Sequence, residues 1–109
     1  MNKLPTRLDG PMLIEPKAFR DERGFFVETY RRSVFTELGI PEEMVQDNHS
    51  RSSRGIVRGM HFQIGNGAAK LVRAARGSIH DVLVDVRVGS PPFGEGEGVE
   101  RSVETKRKL

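Results

Sequence analysis

Apolar residues in this chain fall in short runs separated by polar turns. Met12 to Glu15 is one such run, ended by Pro16, and it reads as a strand. Asp21-Glu22-Arg23-Gly24 has turn composition. Phe25 to Tyr30, rich in aromatic and β-favouring residues, reads as the next strand. Arg31 to Leu38 is the best helix candidate: Val34 and Leu38 lie four apart, Gly39 offers a stop and Pro41 forbids continuation. Ile56 to Gln63 reads as a strand with Gly59 inside it. Lys70 to Arg76 and Ile79 to Val88 read as two more, joined by Arg76-Gly77-Ser78. In the last of these, His80, Val82, Val84, Val86 and Val88 alternate with Asp81, Leu83, Asp85 and Arg87. That is the period of two expected of a sheet with one apolar face.

Short strands with a turn about every ten residues predict a sandwich or barrel. No internal repeat is visible. Gly94-Glu95-Gly96-Glu97-Gly98 reads as a linker or hairpin tip, and Ser102 to Leu109 is a charged stretch of ambiguous structure. The sequence stops without a closing strand. Since bare sheet edges are a liability in water, the expectation is an open barrel that is incomplete at its C-terminus.

At 109 residues the chain has the size of one small domain with a thin core. No run approaches the ~20 apolar residues of a membrane-spanning helix. Met1 to Gly10 lacks an apolar signal region, and cysteine is absent, which excludes disulfides and thiolate metal sites. A cytoplasmic location is the resulting expectation. A net charge of +3 is too small to argue for nucleic acid, and no stacking aromatics alternate with the arginines. Arginine supplies 13 of the 18 basic residues, which permits a phosphate-bearing ligand because the guanidinium fork grips phosphate in two-pronged fashion.

Candidate chemistry centres on Arg58-Gly59-Met60-His61-Phe62-Gln63. A lone histidine in an apolar strand is usually a core residue. Its functional alternative is a general base titrating near neutral pH. Arg58 and His61 are three apart, so a regular strand sends them to opposite faces. A shared pocket requires a bulge, for which Gly59 is the tolerant position. Lys70 reads either as an edge lysine or as a cation beside a developing enolate. Gln46-Asp47-Asn48-His49-Ser50-Arg51-Ser52 is a polar loop or a ligand-reading segment. Met60-His61-Phe62 carries a single histidine without an acidic partner, which disfavours zinc or iron. Gly65 to Lys70 lacks the Gly-Lys-Ser/Thr ending of a phosphate loop.

Taken in order, these segments resemble the dTDP-4-dehydrorhamnose 3,5-epimerase family. The anchors are Ile14-Glu15-Pro16-Lys17, Asp21 to Glu28, Gln46-Asp47-Asn48-His49-Ser50, Arg54 to Gln63, Lys70-Leu71-Val72-Arg73, Asp81 to Arg87 and Gly89 to Gly94. The resemblance implies an all-β fold, a cupin-type jelly roll (double-stranded β-helix) with one short helix near 31–38. Residues 1–109 would form the N-terminal part of that single domain. It implies a homodimer acting on a dTDP-4-keto-6-deoxyhexose, without cofactor, metal, nucleic acid or membrane. His61 would remove the protons beside the C4 ketone and Lys70 would stabilise the enolate oxygen. Arg23, Glu28, Gln46, Asp47, Asn48 and Arg58 would contact the substrate. The outcome would be inversion at C3 and C5, the step that gives dTDP-4-dehydrorhamnose in rhamnose biosynthesis.

The family also places a tyrosine acid, a further histidine and a base-orienting aspartate later than Leu109, and the only tyrosine here, Tyr30, is not at that position. The loop Ile64 to Ala69 lacks the family's prolines, and Arg101 stands where an apolar residue is expected. A chain with these residues alone is expected to exchange substrate protons rather than complete the inversion. The rival expectations are a non-catalytic sugar-nucleotide-binding module and a single-carbon epimerase of the same fold.

Overall fold

Asn2–Leu4 (β1) and Leu13–Glu15 (β2) pair antiparallel, with Leu4 opposite Leu13 and Asn2 opposite Glu15, in a computed structural model that describes residues 1–102. Leu13 and Ile14 are buried, and with Leu8 and Phe35 they form the apolar core. The core is as thin as the short apolar runs predict.

Ala18–Asp21 (β3) and Gly24–Val27 (β4) form a hairpin around the Glu22-Arg23 turn. Gly24 closes that turn at φ +128°, a conformation that side-chain-bearing residues rarely adopt. Strand β4 ends at Val27, three residues short of the Tyr30 limit read from composition, because its partner β3 runs out at Ala18. Phe19 stands opposite Phe26 and Arg20 opposite Phe25, so each face of this ribbon carries exposed aromatic surface. Lys17 Nζ lies 5.0 Å from the Phe19 ring centroid and the Arg20 guanidinium 5.7 Å from that of Phe25, within cation–π range.

Arg32–Glu37 is the single helix, α1, among the described residues. Gly39, at φ +96°, donates its N–H to Thr36 O at 3.0 Å, and Ile40 donates to Phe35 O at 2.8 Å. This is the glycine-terminated Schellman arrangement, which satisfies the last helical carbonyls. It matches the stop predicted at Gly39. Phe35 is fully buried and meets Tyr30 edge-on, with ring centroids 4.9 Å apart.

Ser78–Val84 (β5) and Gly96–Ser102 (β6) form the longest hairpin, with Ile79 opposite Arg101 and Val82 opposite Gly98. The glycine-rich segment 94–98, read as a linker or tip, instead opens β6, since pairing to β5 outweighs the poor strand propensity of glycine. Ser102 ends β6, and the rest of the charged 102–109 stretch lies outside the described residues. A polar knot closes the hairpin. The buried Asp85 carboxylate accepts from Arg87 N–H at 2.9 Å, Arg87 Nη2 at 2.8 Å and Ser90 Oγ at 2.7 Å. Two contacts then tie this hairpin to the N-terminal loop. Glu97 accepts the N–H groups of Arg7 and Leu8, both at 3.0 Å, and Arg87 Nη2 donates to Asp9 O at 2.8 Å.

Two expected strands are not formed. The residues 56–63 have no ladder, and in 70–76 only Arg73 takes part in a bridge. Apolar alternation marks a stretch able to join a sheet, but a ladder also needs a paired neighbour, and neither stretch belongs to one of the three described two-stranded sheets. The apolar face of β5 is also turned outward: Val82 is 43% and Val84 37% exposed, whereas Asp81 and Leu83 point to the more covered side. That side belongs to the buried Arg101, which pairs with Asp81.

Candidate functional site

The residues singled out for chemistry are spread over the turn of one hairpin and the long unladdered stretch, and all except Glu28 are exposed. Arg23 sits at the β3–β4 turn. It donates through Nη2 to Asp21 Oδ2 at 2.6 Å and through Nε to the same oxygen at 3.1 Å, while its backbone N–H reaches Oδ1 at 2.9 Å. The guanidinium holds the Asp21 carboxyl below its ordinary range, and the carboxylate raises Arg23 in return. The fork of Arg23 is therefore already engaged, yet stands at the surface. Glu28, just past β4, is half-buried and ion-pairs with Arg31.

Gln46, Asp47 and Asn48 share one stretch. Gln46 Nε2 donates to Asn48 Oδ1 at 3.1 Å, and Asp47 is exposed between them. Arg58 folds back along the chain, donating through Nε to Ser52 Oγ at 2.8 Å and through Nη2 to Arg51 O at 3.1 Å. These bonds gather Arg51, Ser52 and Arg58 into one local cluster, a ready source of donors for an anion.

His61 lies two residues beyond Gly59. A Cβ built on Gly59 would sit 3.5 Å from His61 Nδ1, so the imidazole covers the glycine. Gly59 adopts φ +120°, which confirms a departure from regular strand at this point. Because no ladder passes through it, the arrangement is neither the expected bulge nor a regular strand with Arg58 and His61 on opposite faces. Lys70 is exposed. Among the described residues, no hydrogen bond or ion pair joins His61 or Lys70 to the other or to Arg23 or Glu28. Hydrogen bonds and ion pairs bring together Arg23 with Asp21, Glu28 with Arg31, Gln46 with Asn48, and Arg58 with Ser52. A cavity of about 440 Å³ is lined by residues 3–12 and contains none of them.

Two polar centres were not singled out from the sequence. One is the Asp85–Arg87–Ser90 knot; its signal was the placement of Asp85 and Arg87 on the polar side of the β5 alternation. The other is the Arg101–Asp81 ion pair, with Arg101 wholly buried and its Nε and Nη2 lacking partners among the described residues. Its signal was a basic residue at a position where an apolar one was expected. No described helix is long and apolar enough to cross a membrane.

Comparison with known proteins supplies what the local geometry leaves open. The family described as dTDP-4-dehydrorhamnose 3,5-epimerase matches residues 5–109. A protein of that name from Pseudomonas aeruginosa is 51% identical over 107 residues, covering 95% of this chain and 59% of the relative. One from Shigella flexneri is 48% identical over 111 residues, covering 100% of this chain and 61% of the relative. Among solved structures, dTDP-6-deoxy-D-glucose-3,5-epimerase from Legionella pneumophila, in complex with dTDP-4-keto-L-rhamnose, is 46% identical with a TM-score of 0.93. That match covers 98% of this chain and 57% of the solved one. The chain thus spans about three-fifths of the length of the relatives it matches. At this likeness the six strands and single helix of the described residues are part of a cupin-type jelly roll.

Proposed function

Because the chain belongs to the dTDP-4-dehydrorhamnose 3,5-epimerase family, we propose that it supplies the proton-abstracting half of a cofactor-free epimerase. Its substrate is a dTDP-4-keto-6-deoxyhexose, and the complete reaction inverts C3 and C5. The observation that carries this reading is the family match over residues 5–109, a range that spans every candidate site residue.

The chemistry follows from the groups at hand. A hydrogen beside a ketone is weakly acidic, and the electron pair left on its removal moves to the C4 oxygen. His61 takes the proton, a positioned base adding about 10²–10⁴-fold. Lys70 stabilises the oxyanion as charge develops, so that no metal or organic cofactor is needed. Reprotonation on the opposite face inverts the carbon. Arg58 and Arg23 hold the diphosphate, and Gln46, Asp47, Asn48 and Glu28 orient the nucleotide and sugar. Binding remote from the reacting carbons thereby fixes the geometry at C3 and C5. Tyr30 is not assigned as the proton donor: it packs edge-on against Phe35, and its hydroxyl is buried.

The same reading carries a homodimer, a cytoplasmic location and a single jelly-roll domain of which residues 1–109 are the N-terminal part. The exposure of the site residues within one copy of the chain supports a site that further polypeptide completes. The direct test is NMR of dTDP-4-dehydro-6-deoxyglucose in D₂O with the chain added. Deuterium appearing at C3 or C5 is the expected result, and the product spectrum distinguishes one inverted carbon from two. A chain that binds the nucleotide-sugar without any uptake is a binding module, and the assignment of His61 fails.

A further inference from the structure

Among the described residues six arginines ion-pair with carboxylates, as Arg23 does with Asp21 at 2.6 Å and Arg87 with Asp85 at 2.8 Å. Arg58 is tethered differently. Its Nε donates to Ser52 Oγ at 2.8 Å and its Nη2 to Arg51 O at 3.1 Å, both uncharged acceptors. Nε and Nη2 lie along one edge of the guanidinium, so that edge is taken. Nη1 donates to nothing among the described residues. The free end, Nη1 with the second hydrogen of Nη2, is a two-pronged donor of the kind that grips a phosphate. Arg58 and Ser52 are both exposed, so a ligand can reach them.

A neutral tether and a charged one do different things. A carboxylate holds a guanidinium and offsets its charge. A hydroxyl holds the plane and leaves the charge to a ligand. An arginine tethered in advance also loses less rotamer freedom on binding than a free one. We infer that Ser52 is a positioning residue for Arg58: its uncharged hydroxyl orients the guanidinium and leaves the positive charge for the substrate's diphosphate. The inference rests on the reading of Arg58 as a diphosphate ligand. It predicts that a carboxylate at position 52 keeps the tether and defeats the binding, whereas a purely structural tether would tolerate that change. Ser52 lies outside the apolar core, so substitutions there leave the core intact.

The test is calorimetry of the full 109-residue chain with dTDP, read beside the arginine Nε–H resonances of isotope-labelled protein. The Arg58 resonance is the one that Arg58→Ala removes. Ser52→Ala should shift it and speed its exchange with water. The same change should weaken dTDP roughly threefold to tenfold, the effect of one neutral hydrogen bond. Ser52→Thr keeps the hydroxyl and should restore both readouts. Ser52→Asp should keep the resonance protected yet weaken dTDP by about tenfold or more, because the new carboxylate occupies the charge. In an Arg58→Ala background, Ser52→Ala should have no further effect. A Ser52→Asp chain that binds dTDP as the parent does overturns the inference, as does a Ser52→Ala loss that persists without Arg58. If Arg58→Ala weakens dTDP and neither Ser52 change does, the inference alone falls. If the parent does not bind dTDP, or Arg58→Ala binds it equally well, the reading of Arg58 falls and the inference with it.

Discussion

Arg101, which has no exposed surface, donates through Nη1 to the Asp81 carboxylate from a diagonal position across the β5–β6 ladder. The glycine-rich β6 offers few side chains to set its register, and a slip by one residue would turn every side chain to the opposite face. A buried charge that finds its partner in only one register specifies that register. Asp81→Ala leaves the guanidinium buried and unpaired and should destabilise the chain by roughly 3 kcal/mol. Asp81→Leu combined with Arg101→Leu should cost less than the single change. Urea unfolding midpoints of the three proteins decide this; a double variant as unstable as Asp81→Ala would deny the pairing its role.

The Asp85 knot gives the fold a pH dependence of known sign. Hydrogen bonds from Arg87, and then Ser90, hold the carboxyl well below the usual carboxylate range. The unfolded chain takes up a proton near the ordinary value of about 3.9, while the folded chain still refuses it. The contribution is therefore fully present above about pH 4 and is lost as pH falls further, toward the depressed folded value. Glu97, lowered by the N–H groups of Arg7 and Leu8, acts in the same direction. Melting temperatures between pH 2.5 and 6 should fall toward acid in the parent and fall less steeply in Asp85→Asn. Equal slopes would place the acid sensitivity elsewhere.

What could be read from residues alone divides along a physical line. Gly39 and Pro41 announced the end of α1 because a helix stop is local chemistry, and Asp21 to Gly24 announced its turn for the same reason. The stretch 56–63 announced a strand that is not there, since a ladder is decided by a neighbour that the local pattern does not encode. The valines of β5 were read correctly as one face, but which face is covered depended on Arg101, twenty residues away. The site residues were legible only as an ordered set of motifs. Individually His61, Lys70 and Asp47 look like ordinary polar residues, and all three are exposed in the described chain.

A close approach on β6 yields a prediction of opposite sign in two backgrounds. A Cβ on Gly98 would stand 2.6 Å from His80 Nε2, the far end of an exposed side chain on the neighbouring strand. Alanine in a strand interior is favoured over glycine by about 0.5–1 kcal/mol. Displacing the imidazole from its rotamer costs a comparable ~0.5–1.5 kcal/mol. Gly98→Ala should thus be near neutral or mildly destabilising by itself and stabilising when His80 is already alanine. The four proteins of that cycle, compared by thermal unfolding, test it, and additive effects would mean that the two side chains do not meet.

The proposed division of labour between His61 and Lys70 separates cleanly in kinetics. His61→Asn removes the only proton acceptor assigned to the reacting carbons, so deuterium uptake at C3 and C5 should fall by about 10²-fold or more. Lys70→Met keeps the base but withdraws the cation from the enolate oxygen. Uptake should then fall by a similar ~10²–10³-fold, with nucleotide affinity little changed, because the lost interaction exists mainly in the transition state. Arg58→Ala should instead weaken binding of dTDP itself, by releasing the diphosphate, and reduce uptake mainly through KM. Calorimetry with dTDP and exchange rates at saturating keto-sugar measure the two effects independently. A Lys70→Met protein whose defect lies wholly in KM would reassign that lysine from stabilising charge to holding phosphate.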